Sequence, residues 1–395
     1  MKKKIIIIIV IIILTINSLA FGSIKFEYDA KAYLLGDYET GQILESYNID
    51  TPIEIASISK LLSYFVIMDK IKDKSISYDD KIIIDKDTAS IKGSSYKVKV
   101  GEEFTIEELL KASIVVSGND ATYAIAKHIS GTEEEFVKLM KSKAIKLRLF
   151  NAEIYNSTGL PVKDSELQNK MTTREIFILT KKLLESHPEV LELSKLHFIS
   201  APSRGFLGTN TNPLLRTIEG IDGLKTGYTG KAGYCYVTTL NIKGEEKITE
   251  DLRLIGIVMG SDSYDERTEI SKTLVQYGKD NFSKQVLVHK DLVLDSLNYP
   301  KGDPMNIKIY PMESYSQLID KKSEIKFEID LYNNELPIKE NEELGIVTIF
   351  KDNEPLFITK VINKEVVVKA SFFKQVSRFY EDLFKKAEEV LELNN

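Results

Sequence analysis

The chain of 395 residues holds one cysteine, Cys235, and four histidines, a poor supply of soft and imidazole ligands. One thiol excludes an intramolecular disulfide. It also excludes a zinc or iron–sulfur centre built on several thiolates. Cys235 lies in the apolar stretch Gly233-Tyr234-Cys235-Tyr236-Val237 and reads as packing. His128, His187, His197 and His289 are scattered, none beside another candidate group. HExxH is lacking, and no serine sits in a G-x-S-x-G elbow. A Ser-His-Asp triad can still draw on distant positions. Basic excess is lacking too: 53 Lys and Arg against 59 Asp and Glu leave a net charge of −6. A nucleic-acid surface needs a concentrated basic patch. Here lysine is generally interleaved with acids. No metal, cofactor or nucleic acid is expected.

Hydrophobic residues make up 43% of the chain, enough for a large core and more than one domain. Lys2, Lys3 and Lys4 precede an unbroken Ile/Val run from Ile5 to Ile13, extended to Ile16. Small residues follow at Ser18, Ala20, Gly22 and Ser23. That order predicts a signal peptide over residues 1–22, cleaved after Ala20 or Gly22. The apolar run is short against the ~20 residues of a membrane span. The mature chain is thus expected outside the cytoplasmic membrane.

Residues 24–278 alternate strand and helix signals. Ala32 to Asp37 and Gln42 to Tyr47 read as strands around the turn Glu39-Thr40-Gly41. Leu61, Leu62, Phe65, Val66, Met68 and Ile71 recur at helical spacing. Thr105/Glu108, Thr132/Glu135, Thr172/Glu175 and Ser186/Glu189 read as capping boxes at helix starts. Tyr234 to Ile242 and Leu252 to Met259 read as paired strands around a polar loop. Strands at both ends with helices between predict an α+β domain with an antiparallel sheet. Residues 282–368 alternate apolar and polar, as in Ile325 to Leu331, and predict a small all-β domain. Over 372–393 a stripe of Phe372, Val376, Phe379, Tyr380, Leu383, Phe384, Ala387, Val390 and Leu391 predicts an amphipathic helix. Lys374, Arg378, Lys385 and Lys386 are read as facing away with the acids. Packing on the β domain and lying in a membrane interface both fit these residues.

Three motifs carry chemistry: Ser57-Ile58-Ser59-Lys60, Ser117-Gly118-Asn119 and Lys225-Thr226-Gly227. Each alone is common; together, in this order, behind a signal segment, they are specific. Ser57 precedes the apolar helix, where the helix dipole favours a developing alkoxide. Lys60, three residues on, shares its face and can serve as base if its pKa falls. Burial and a second cation, for which Lys225 is the candidate, would lower it. Ser117 is the candidate proton relay, and Asn119 the candidate holder of a substrate amide. Lys225 to Gly227 reads as an edge strand along which a substrate backbone can lie close. The amides of Ser57 and Tyr228 are candidates for an oxyanion hole, often worth ~3 kcal/mol.

The stretch from about 27 to 280 resembles the D-alanyl-D-alanine carboxypeptidases, the low-molecular-mass penicillin-binding proteins of peptidase family S11. The likeness reaches past the triple to Ala56–Leu62, Gly93-Ser94-Ser95, Val116–Ala121, Asn156–Pro161, Asn210–Leu215 and Asp222–Tyr228. It implies a transpeptidase-like α+β fold, then a β domain and a terminal helix. It implies release of the terminal D-alanine from peptidoglycan stem peptides through a Ser57 acyl-enzyme, and covalent reaction with β-lactams. It implies that Arg267, beyond the Lys-Thr-Gly strand, binds the substrate carboxylate with Thr226, an Arg fork suiting a carboxylate. Some relatives carry a further Arg where Thr211 stands. The family layout favours the membrane for 369–395, hence peripheral attachment to the outer face. Competing readings are a D,D-transpeptidase, a class A β-lactamase using Glu166, and a non-catalytic wall-binding protein.

Overall fold

The computed structural model describes Ile6, Ile7, Ile24, Phe26 and residues 29–392, with side chains through residue 388. The expected signal segment falls outside these residues apart from Ile6 and Ile7, whose backbone pairs with Asp330 and Ile329. The described chain forms two compact units. One runs to Lys243 and resumes over Asp251–Asn281; the other takes Gly244–Glu250 and continues from Phe282.

In the first unit, β1 (Ala32–Asp37) and β2 (Ile43–Tyr47) form a hairpin. α1 (Ser59–Lys72) is buried continuously from Ser59 to Met68, so its apolar residues do not form a single stripe. A helix covered all round belongs at the centre of a domain. α2 (Ile106–Val115), α3 (Asn119–Ser130), α4 (Glu133–Lys146) and α5 (Thr173–Ser186) follow. Reciprocal capping boxes open α2 at Thr105/Glu108 and α5 at Thr172/Glu175. At α4, Thr132 accepts from the Glu135 amide. The Ser186/Glu189 pair does not cap a helix start as expected. Ser186 is the last residue of α5, and His187 and Pro188 break the chain before the next helix begins at Val190. Proline cannot continue a helix, so the pair spans a helix end.

β3 (Ile221–Thr229), β4 (Gly233–Ile242) and β5 (Leu252–Ser261) then return, followed by α6 (Tyr264–Asn281). The sheet order is β3-β4-β5-β1-β2, every pairing antiparallel, with α5 and α6 packed on it. β3, which carries Lys225-Thr226-Gly227, is therefore an edge. Its inner end is braced by a forked ion pair from Arg253 of β5 to Asp222, at 2.8 Å. The loop expected between β4 and β5 contributes a strand, Thr249–Glu250, to the second unit, pairing with Gln285 and Lys284.

The second unit is antiparallel β structure with its own core, including Ile307, Ile309, Val347 and Val361. Its larger sheet contains Asn306–Pro311, Ile325–Leu331, Glu343–Lys351 and Glu354–Asn363. The alternation of Ile325 to Leu331 places successive side chains on opposite faces. α7 (Phe372–Glu392) closes the unit and is roughly 32 Å long. Lys374 and Arg378, off the apolar stripe, meet the unit's own chain. Lys374 Nζ pairs with Asp303 at 2.6 Å, and Arg378 donates to the Gly302 carbonyl at 2.7 Å. These contacts fasten the first turns, while Phe372, Phe373, Phe379, Tyr380, Leu383 and Phe384 stay exposed. No described helix is long and apolar enough to cross a membrane.

Candidate active site

Ser57 stands in a short 3-10 turn, Ala56–Ile58, immediately before α1. Ala56 holds φ at +46°, a left-handed conformation that side chains rarely adopt. Such strain persists only where surrounding structure enforces it. Gly159 supplies part of that enforcement: a Cβ there would stand 1.8 Å from the Ala56 carbonyl oxygen. On the other side, a Cβ on Gly227 would meet the Ser57 amide at 3.1 Å. The nucleophile candidate is thus gripped between a loop and the edge strand, each by a glycine.

Lys60 is completely buried. Its Nζ contacts Ser57 Oγ at 2.8 Å, Asn119 Oδ1 at 2.6 Å and the Thr158 carbonyl at 2.9 Å. Two of these partners can only accept. The Asn119 amide has a fixed sense, because its Nδ2 donates to the Lys92 carbonyl at 2.8 Å. A neutral Lys60 therefore spends its two hydrogens on Asn119 and Thr158 and turns its lone pair to Ser57, the only partner with a proton to give. Burial lowers the Lys60 pKa well below its ordinary value, with a further push from Lys225; Asp120 partly opposes both.

Lys225 is also buried and donates to Ser117 Oγ at 2.8 Å and to the Thr226 carbonyl at 2.9 Å. Burial, then the Arg267 charge, brings its pKa down to about 7. Ser117, at φ +59°, precedes α3, whose first residue is Asn119. The three motifs thus surround one cleft of about 470 Å³, whose walls include Ser57, Ser117, Asn119, Thr226, Tyr228 and Arg267.

Arg267 lies on the first turn of α6 and is buried, with Nε and Nη2 unpartnered among the described residues. Thr226 donates to Thr211 Oγ1 at 2.7 Å, so a hydroxyl pair occupies the position where a second Arg was in question. Glu166 does not reach the cleft. Its side chain is 95% exposed, and its carboxylate lies 3.9 Å from Lys231 Nζ. His187 pairs with Asp69 at 3.1 Å and packs on Phe65 in the core, so no serine joins it in a triad.

Sequence reasoning missed two members of the site. Asp120 accepts from Ser95 Oγ at 2.7 Å and the Tyr96 amide at 2.8 Å, tying the loop that carries Gly93 and Ser94 to α3. An acid one residue past Ser-Gly-Asn, at a helix start, was the available signal. The Thr158 carbonyl left no signal, since every residue has one. Its loop is set by Asn156 Oδ1, which accepts from the Gly159 amide at 2.7 Å, and by Asn169, which donates to Ser59 Oγ at 2.9 Å.

Comparison with known proteins agrees with this geometry. A family model described as D-alanyl-D-alanine carboxypeptidase, peptidase family S11, matches residues 20–263. The D-alanyl-D-alanine carboxypeptidase DacF of Bacillus subtilis is 31% identical over 364 residues, 91% of each chain. DacD of Escherichia coli is 28% identical over 96% of this chain and 99% of its own. Among solved structures, penicillin-binding protein 5 of Haemophilus influenzae aligns with a TM-score of 0.65 and 26% identity, covering 88% of this chain and all of its own. Penicillin-binding protein D2 of Listeria monocytogenes, in its ampicillin-bound form, aligns at 0.57 and 29% identity over 65% of this chain and 99% of its own. This chain belongs to the D-alanyl-D-alanine carboxypeptidases of peptidase family S11 and is a serine hydrolase of that type.

Proposed function

We propose that the chain removes the terminal D-alanine from peptidoglycan stem peptides at Ser57, and that β-lactams acylate the same serine. The observation that carries this reading is the Lys60 geometry, in which a neutral amine can take a proton only from Ser57. Ser57 Oγ attacks the penultimate D-Ala carbonyl as Lys60 takes its proton. The carbonyl oxygen becomes an oxyanion held by the amides of Ser57 and Tyr228. The C–N bond then breaks, and the leaving amine receives the proton that Lys60 took, passed through Ser117, so Lys60 is neutral again. Water attacks the acyl ester, Lys60 taking its proton; the C–Oγ bond breaks, and Lys60 returns the proton to Ser57 Oγ. Asn119 Nδ2 has one hydrogen beyond that given to Lys92, and it suits the substrate amide carbonyl. The edge of β3 receives the peptide backbone, Gly227 allowing close approach. Lys225, Thr226 and Arg267 receive the terminal carboxylate.

A class A β-lactamase reading lacks its deacylating acid, since Glu166 is exposed. Incubation with labelled penicillin and, separately, with a peptide ending in D-Ala-D-Ala tests the main reading. Ser57-dependent labelling with D-alanine release supports it. Equal labelling of wild type and Ser57→Ala would remove Ser57 as nucleophile. Labelling without D-alanine release would point to transpeptidation.

A cell-wall substrate sets the enzyme on the outer side of the cytoplasmic membrane. We assign α7 as its peripheral attachment, on the strength of the exposed Phe372, Phe373, Phe379 and Phe384 beside a basic edge already tied to the β unit. Deleting 369–395 should release the mature protein from membranes; continued sedimentation with them would sink this assignment.

A further inference from the structure

Arg267 is held in an unusual way for a buried cation. Buried charges are ordinarily paired with an opposite charge. Here three tyrosine rings surround the guanidinium: Tyr264 at 4.7 Å, Tyr236 at 5.8 Å and Tyr234 at 5.9 Å from its central carbon. Nε and Nη2 are buried without a hydrogen-bond partner among the described residues. Burial lowers the Arg267 pKa, and the tyrosines raise it. The rings are themselves braced. Tyr228 packs on Tyr234 at 4.3 Å, and the buried Tyr236 hydroxyl bonds Asn212 Oδ1. Tyr264 is the ring nearest the guanidinium, half exposed, and it lines the cleft.

The physical consequence follows from what an aromatic face does to a cation. It attracts the guanidinium plane and fixes it, but it does not neutralise the charge. A carboxylate would fix the same plane by a fork and cancel most of the field. We infer that Tyr264 is a positioning residue for Arg267: its ring holds the guanidinium in place of an acid, keeping the charge uncompensated so that the site selects a free C-terminal carboxylate over a neutral C-terminus. The inference rests on the reading of Arg267 as the carboxylate-binding residue. A site built around a buried polar group discriminates strongly against ligands that leave it unpaired. Tyr264 adds to that discrimination by keeping water and acids away from the guanidinium.

The test compares a blocked peptide ending in D-Ala-D-Ala with the same peptide carrying a C-terminal amide, on the purified full-length protein. The ratio of kcat/KM for acid over amide is read for wild type, Tyr264→Phe, Tyr264→Leu and Tyr264→Glu. The Tyr264 backbone carbonyl accepts from Thr268 Oγ1 at 2.8 Å, a contact every variant keeps. Tyr264→Phe retains the ring and should keep the ratio within about twofold. Tyr264→Leu should cut the ratio by roughly tenfold, mainly through KM of the acid peptide. Tyr264→Glu supplies the missing anion and should cut it further. An unchanged ratio in both Leu and Glu variants would overturn the inference while leaving the carboxypeptidase reading intact. A wild-type enzyme with no preference for the acid would instead remove Arg267 as the carboxylate site, and this inference with it.

Discussion

The lysines of the cleft and those of the β unit are the same residue under opposite rules. Lys60 and Lys225 are buried and meet hydroxyl, amide and carbonyl oxygens. Burial lowers both pKa values, that of Lys225 to about 7. Lys360 of the β unit is exposed and bonds Glu343 at 2.6 Å, and its pKa is raised by that bond. The surface arrangement keeps the proton on lysine. The cleft arrangement makes the proton easy to remove, which is what base catalysis near neutral pH requires. Withholding a carboxylate from a buried cation costs stability, and the cleft accepts that cost where the β unit does not.

The largest expected effect comes from removing the group that Lys60 serves. Ser57→Ala should abolish penicillin labelling and reduce D-alanine release by roughly 10⁴-fold or more. Next, Lys60→Arg keeps a cation but cannot yield a neutral base, since guanidinium does not deprotonate in proteins. Its acylation rate should fall by roughly 10²–10⁴-fold, measured by stopped-flow with a chromogenic cephalosporin. A variant within threefold of wild type would mean that a fixed cation suffices.

Lys225→Met sharpens the comparison through stability. The folded pKa is about 7, while the unfolded chain keeps an ordinary lysine. Between pH 7 and the ordinary lysine range the unfolded state binds the extra proton, so stability rises with pH across that window. At pH 6.5 the native state bears the full cost of a buried cation. There Lys225→Met should stabilise the peptidase unit by ~2 kcal/mol while impairing activity. The advantage should shrink toward pH 9, as read from unfolding midpoints at the two pH values. A constant difference would show that the cleft lysine is charged throughout. The smallest effect is on the surface: Lys360→Ala should leave the unfolding midpoint and activity within experimental scatter, as exposed pairs contribute little.

Much of the site was legible because its chemistry is written in side chains at fixed spacing. Ser57 and Lys60 share a turn, and Lys225 to Gly227 alternate along a strand, so local geometry alone relates them. The elements were legible where periodicity was clean, as in β1, β5 and α7. Ser186/Glu189 misled because a hydroxyl followed by an acid occurs at helix ends too, and only His187 and Pro188 decide which. The apolar stripe of α7 shows which side Lys374 and Arg378 avoid, but not what they meet on the other. Asp303, which meets both, lies 71 residues away from Lys374.

The sequence by itself named the candidate nucleophile and the two lysines beside it, and determined the order of the motifs and the α+β class, since these depend on residue identity and short-range periodicity. Tertiary structure alone decided that no carboxylate among the described residues bonds Lys60 or Lys225, that the Thr158 carbonyl completes the Lys60 shell, and that three tyrosines surround Arg267. The physical reason is that pKa and charge compensation are properties of surroundings. Those surroundings come from segments more than a hundred residues apart, such as Ser117 and Lys225, which only the packing of the segment before α3 against the edge strand brings together.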